Sequence, residues 1–176
     1  MLPSELKQRA RAVRLLVLDV DGVLTDGTLY YSANGEELKA FNIHDGLGIK
    51  MLQAAGLETA IISGRSSAAL EKRAQNLAIR HLYQGVEHKL AAFEELLREL
   101  SLAPAQTACM GDDLPDLALL ERCGLALTVP DAPDVVRTRA HYVTRRAGGR
   151  GAVREACELI LEAQDQLHSQ LAKYLS

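Results

Sequence analysis

Two apolar runs in this chain stop at clusters of carboxylates. LLVLDV (15–20) leads into DGVLTDG, bringing Asp19, Asp21 and Asp26, and TACM (107–110) leads into GDDLPD, bringing Asp112, Asp113 and Asp116. An Asp-Gly pair makes a turn, which accounts for Asp21-Gly22 but leaves Asp19 and Asp26 without a reason. Asp112 or Asp113 ahead of Pro115 also starts a helix well, which accounts for part of the second cluster. Neither explains acids at both strand ends. Carboxylates this close repel one another unless a cation lies among them, and oxygen-only ligands on short side chains suit a hard ion, Mg2+ above all. Ser63-Gly64 ends a third apolar run, ETAIIS (58–63), and opens a helical stretch where backbone N–H groups favour a phosphate oxygen. Lys89, just inside another helical pattern, offers a point charge to the same group. Alone, Ser63 is a helix cap and Lys89 a solvated lysine. Together with the acids they describe an aspartate nucleophile, a metal, and donors for a moving phosphoryl group.

The elements that must position these residues alternate. Buried-strand runs at 15–20, 58–63, 107–112 and 124–129, with a weaker one at 141–144, are separated by helical patterns over 46–55, 66–76, 88–100 and 114–122. That order predicts an α/β fold, one Rossmann-like, doubly wound parallel sheet over 1–176, with ligands at the carboxyl ends of its strands. Two segments depart from the rhythm. Residues 28–43 hold Asn34-Gly35 between β-compatible arms, a hairpin signal, inserted after the first strand. The tail, 148–176, begins Gly-Gly-Arg-Gly and continues from Ala152 to Ala172 as one amphipathic helix; its glycines would let Arg150 swing over a site as a lid.

Composition excludes several classes. Twenty Lys+Arg stand against 23 Asp+Glu, a formal net charge of -3, where a nucleic-acid binder would be basic. No apolar run is long enough to insert in a membrane. Charges among the first residues argue against an export signal, and three scattered cysteines without metal spacing suit a reducing compartment, so a cytoplasmic location is expected.

Asp19-Val-Asp21-Gly22-Val-Leu-Thr25, Ser63, Lys89 and Gly111-Asp112-Asp113 resemble, in order, the four motifs of the haloacid dehalogenase superfamily. The resemblance implies that Asp19 attacks phosphorus and Asp21, an acid where dehalogenases have none, protonates the leaving alcohol and then activates water. It implies Mg2+ on Asp19, the Asp21 carbonyl and Asp112, phosphoryl oxygens on Ser63, Gly64 and Lys89, and Asp113 and Asp116 supporting the metal or Lys89. The intervals 20–62 and 64–88 are too short for the cap domain that many members carry.

FNIHDGLGIKML (41–52), SGRSSAALEKRA (63–74), the Asn-Gly hairpin and the Gly-Gly-Arg tail further resemble the capless, tetrameric phosphatases of 3-deoxy-D-manno-octulosonate 8-phosphate, from lipopolysaccharide precursor synthesis. That likeness implies a sugar phosphate partner bound by Asp21, Asn42, Ile43, His44, Asp45, Gly46, Lys50, Arg65, Arg73 and Lys89, and a homotetramer joined through the 28–43 hairpins. Phosphatases of nonulosonate 9-phosphates share these loops. A non-catalytic oligomerisation module is the third reading, disfavoured because Asp19, Asp21 and Asp112 are all present.

Overall fold

Leu15–Leu18 form a strand, β1, in which all four residues are buried, so neither of its faces meets water. A strand of this kind is stable only inside a sheet covered on both sides. In the computed structural model, which describes residues 3–33 and 37–175, β1 is a central strand. The remaining strands are β2 (Tyr30–Tyr31), β3 (Glu37–Leu38), β4 (Glu58–Ile62), β5 (His81–Tyr83), β6 (Thr107–Met110), β7 (Leu125–Thr128) and β8 (Tyr142–Val143). Six of them make one parallel sheet in the order β5-β4-β1-β6-β7-β8, and β2 pairs with β3 in a separate antiparallel ribbon. Leu15 pairs with Glu58 on one side and Thr107 on the other, so β4 and β6 end level with β1. The three loops that carry Asp19, Ser63 and Asp112 therefore open at the same edge.

Helices α1 (Ser4–Arg11), α2 (Ile43–Ala54), α3 (Ala68–Asn76), α4 (Lys89–Leu100), α5 (Leu117–Arg122), α6 (Asp134–Arg137), α7 (Ala152–Ala163) and α8 (Leu167–Ala172) flank the sheet. Helix α7 packs against α1 and α2, while α4 packs against α5. Phe93, Leu96, Leu52, Ile49 and Ile160 lose all or nearly all contact with water in a core continuous with the sheet. The doubly wound α/β reading holds, and no cap domain is present among the described residues.

Several local expectations are corrected. Helix α2 begins at Ile43, not Gly46, because the Asn42 side chain accepts the His44 N–H at 2.8 Å and caps it. Strand β5 and helices α1 and α6 are additions: β5 is three half-buried residues, and α1 buries only Leu6 and Ala10, too little periodicity to register in the sequence. The tail is two helices rather than one, since the backbone turns left-handed at Asp165 (φ 58°) and ends the first. The 148–151 segment is no loose lid. Gly149 N–H donates to the Val23 carbonyl at 2.9 Å, and a Cβ on Gly148 would lie 1.7 Å from the Gly22 carbonyl oxygen. Only glycine lets the strap rest on the loop after β1. The predicted hairpin turn at Asn34-Gly35 lies outside the described residues, but its arms pair as Tyr30 with Leu38 and Tyr31 with Glu37.

Strand β8 and the residues that lead from it to the strap are anchored by one carboxylate. Glu155, buried on α7, accepts from Tyr142 Oη (2.7 Å), Arg145 N–H (3.1 Å) and Arg146 N–H (3.2 Å). Burial pushes the Glu155 carboxyl up, but these donors outweigh it and hold the group below the usual range. Its contribution is therefore full above the unfolded glutamate value, about 4.3, and is lost as pH falls through the lower folded value. Glu155→Gln is expected to lower stability by about 1–2 kcal/mol at pH 7, with the gap from wild type closing below pH 4; urea midpoints at both pH values check it.

Candidate active site

Strand β1 ends at Asp19, whose backbone N–H continues the ladder by donating to the Met110 carbonyl at 2.9 Å. The chain then folds back over 20–27 around Thr25. The buried Thr25 hydroxyl donates to the Val20 carbonyl (3.3 Å) and accepts from the N–H groups of Gly22 (3.4 Å) and Gly27 (3.2 Å). Gly22 has φ 86°, and a Cβ there would stand 2.0 Å from Asp112 Oδ2. The loop after β6 thus delivers the Asp112 carboxylate against the bare backbone of the loop after β1, a closeness that only glycine permits.

Lys89, the first residue of α4 and only 7 % exposed, reaches into this edge. Its Nζ donates to Asp19 Oδ1 at 2.6 Å and Asp116 Oδ1 at 2.7 Å. Asp116 Oδ2 accepts the N–H groups of Asp112 (3.1 Å) and Asp113 (3.3 Å), fixing the turn that holds Asp112. Asp113 points its own carboxylate at the Leu114 N–H, a cap. Burial pulls the Lys89 ammonium down, but the two carboxylates more than offset it and keep it charged.

One ammonium does not balance this cluster. Asp19, Asp112 and Asp116 each offer an oxygen within 4.8 Å of the others. Burial first, then Asp116, pushes Asp19 up to about 6 despite Lys89. Burial, then Asp19, Asp116 and Asp113, pushes Asp112 up to about 7. Both oxygens of Asp116 are engaged, by Lys89 and by the N–H groups of Asp112 and Asp113, whereas Asp19 shares that one ammonium with it. Two half-buried carboxylates left short of positive charge, with no imidazole or thiolate beside them, fit a hard divalent cation. The chemistry of the donor set therefore matches Mg2+.

Asp21 stands beside this pair, with Lys39 Nζ 2.5 Å from its Oδ1 and Arg65 Nε 3.8 Å from its Oδ2. Ser63 is buried at the end of β4, and its hydroxyl accepts the Arg65 N–H at 3.3 Å. The cap of α3 is Ser67, so Ser63 is no helix cap. Gly64 follows it, exposed.

The remaining predicted residues lie in α2, at its cap or, for Arg73, packed against its start. Arg73 donates to the Asn42 carbonyl (2.9 Å) and lies under Gly46, where a Cβ would meet its guanidinium at 2.5 Å. The side chain of Asn42 also donates to the Gly149 carbonyl at 3.3 Å. Asp45 is buried and turned away from the carboxylate cluster, accepting the N–H groups of Gly151 (3.3 Å) and Arg154 (2.8 Å) at the start of α7. Ile43, His44 and Lys50 are exposed. Lys39 was missed by the sequence reading. The only available signal was its register: next to the exposed Leu38, it takes the opposite, inward face of the hairpin arm.

A family described as haloacid dehalogenase-like hydrolase matches residues 81–155, which carry Lys89 and the 111–116 turn. That match, with strand-end acids on an open parallel sheet, defines the class. Across 159 residues the chain is 53% identical to the 3-deoxy-D-manno-octulosonate 8-phosphate phosphatase KdsC of Escherichia coli strain K12, over 90% of this chain and 85% of that protein. The crystal structure of the corresponding phosphatase from Yersinia pestis has a TM-score of 0.93 at 51% identity, covering 95% of this chain and 90% of the other. The Moraxella catarrhalis phosphatase, crystallised with a magnesium ion, a phosphate ion and a KDO molecule, has a TM-score of 0.96 at 42% identity, covering 98% and 99%. The chain belongs to the KdsC family of haloacid dehalogenase-like hydrolases.

A cation that relieves the Asp19–Asp112 repulsion stabilises the folded chain by mass action, about 2.7 kcal/mol at a hundredfold excess over its dissociation constant. Saturating Mg2+ is expected to raise the thermal midpoint by roughly 5 °C or more. Asp112→Asn should melt higher than wild type without Mg2+ and gain little from its addition. Differential scanning calorimetry reads both.

Proposed function

We infer that this chain is a Mg2+-dependent phosphatase that hydrolyses 3-deoxy-D-manno-octulosonate 8-phosphate to 3-deoxy-D-manno-octulosonate and phosphate, a step of lipopolysaccharide precursor synthesis. The observation that carries the reading is the identity above one half to KdsC proteins across nine-tenths of the chain. Asp19 is the nucleophile, its carboxylate oriented toward phosphorus by Lys89 on Oδ1. Asp21 protonates the sugar oxygen as the P–O bond breaks, then takes a proton from the water that hydrolyses the aspartyl phosphate. Lys89, Ser63 and the backbone at Gly64 receive the phosphoryl oxygens. Mg2+, held by Asp19, Asp112 and the Asp21 carbonyl, supplies positive charge against the phosphoryl group and favours the ionised form of both aspartates. Arg65, Arg73, Asn42, Ile43, His44, Asp45, Gly46 and Lys50 are assigned to the sugar side, Arg73, Asp45 and Gly46 through the shape of the wall they build.

The assembly is a homotetramer, with residues 1–176 as one catalytic domain, the 28–43 hairpin as its contact and 148–176 as its tail. Exposed Tyr30, Tyr31 and Leu38 on a two-stranded ribbon support this, since such a ribbon is marginal alone in water. Among the described residues no helix is long and apolar enough to cross a membrane. Cys109, Cys123 and Cys157 are free and buried, which favours a cytoplasmic setting.

Phosphate release from the eight-carbon substrate is expected to vanish in Asp19→Asn and to fall about 10²–10⁴-fold in Asp21→Asn. It should stop on chelation and return with Mg2+. Preference for a nonulosonate 9-phosphate would reassign the substrate, and metal-free turnover would reject the mechanism. Light scattering should give a tetramer for wild type and a smaller species when residues 30–40 are replaced by a Gly-Ser loop.

A further inference from the structure

The hairpin is turned inside out at one position. Leu38 is 67% exposed, whereas the Lys39 side chain beside it is 2% exposed and ends on Asp21. Tyr31, on the opposite arm, receives a hydrogen bond of 3.0 Å from Arg65, the second cation beside Asp21. Both arms of the ribbon therefore close on the same carboxylate. A buried ion pair is weak evidence of stabilisation, because the desolvation of two charges cancels much of their attraction. Turning an ammonium inward and a leucine outward is a poor way to anchor a ribbon, and the contact calls for another explanation.

We propose that Lys39 is a positioning residue for Asp21: by holding Oδ1 it fixes the carboxyl plane, so that Oδ2, 3.8 Å from Arg65 Nε, turns toward the oxygen of the departing alcohol. The inference rests on the reading of Asp21 as general acid. In the first half-reaction a carboxylate oxygen of Asp19 bonds to phosphorus, the bond from phosphorus to the sugar oxygen breaks, and that oxygen takes a proton from Asp21, the general acid of the proposed mechanism. Lys39 forms and breaks no bond. Its effect is orientation, and a displacement on the order of 1 Å at a reacting group costs about 10²-fold. The insertion after β1 is thus part of the catalytic site of its own chain, beside any part it has in assembly.

Leaving groups separate this role from the others. An alkyl phosphate needs its departing oxygen protonated, whereas p-nitrophenyl phosphate releases a stabilised anion that does not. The ratio kcat/KM reports steps through alcohol release and excludes hydrolysis of the aspartyl phosphate. In Lys39→Met, kcat/KM for the sugar phosphate is expected to fall about 10–100-fold, while the value for p-nitrophenyl phosphate stays within about twofold of wild type. Lys39→Arg, which keeps a cation, should show a smaller loss with the same selectivity, and it carries the test if Lys39→Met does not fold. In an Asp21→Asn background the substitution should add nothing.

Equal losses on both substrates would overturn the proposal, leaving Lys39 a part of the general shape of the site. So would weaker inhibition by the sugar acid product matching the loss in kcat/KM, which would make Lys39 a sugar ligand, and so would full activity on both. If wild type instead prefers a nine-carbon sugar acid phosphate, the substrate reading fails alone, and the same comparison on that alkyl ester still decides the role of Lys39.

Discussion

The site depends on a shortage of positive charge at one edge of a buried sheet. Parallel pairing of β1 with β6 ends both strands level and sets Asp19, Asp112 and Asp116 together, where water screens poorly. Lys89 neutralises one carboxylate equivalent and bridges two of the three acids. The remaining imbalance makes the edge a cation site, and it makes the same edge tolerant of an incoming phosphate once the cation is in place. Fold, metal and chemistry are linked through that one deficit.

The loops around the deficit are held by backbone contacts rather than by large side chains. Asp112 rests on Gly22, Gly148 rests on the Gly22 carbonyl, and Arg73 rests on Gly46. Each contact brings a charged group or a strap closer than any side chain on the glycine would allow. Asp45 of α2 then accepts the N–H groups of Gly151 and Arg154, and Glu155 of α7 those of Arg145 and Arg146, so the segments at both ends of the strap are fastened through backbone N–H groups. The result is a shallow edge with fixed walls, and with no cap above it among the described residues, only the 28–43 ribbon rises beside the acids.

The gathering of acids and Lys89 at one sheet edge was legible because strand ends are local signals. A run of buried residues that stops at Asp19 or at Asp112 announces both the strand and the use of its end, and Lys89 and Ser63 follow from the reaction those acids imply. Contacts that join distant segments were not legible. Nothing near Asp45 in the sequence points to α7, more than a hundred residues on, and nothing near Lys39 points back to Asp21. The hairpin arms were read through their apolar residues, Tyr30, Tyr31, Leu38 and Phe41, and the inward face went unread because two-residue strands carry too little alternation to set a register. The tail periodicity, sound through Ala163, gave no sign of the left-handed turn at Asp165.

The placement of β1 also sets when the site comes into being. On one side β1 pairs with β4, and on the other with β6, whose last residue is Met110. Contacts between segments so far apart along the chain close slowly, since loop closure must precede the pairing that rewards it. During synthesis from the N-terminus, Asp19 leaves the ribosome early, yet it has neither Lys89 nor Asp112 beside it until the segment through Asp116 has followed. The nascent chain therefore carries Asp19 through more than half of its synthesis without the sheet edge or the cation site. Acid cluster and ammonium come together only once β1 has paired with β6, so a chain that ends before Asp112 lacks this cation site.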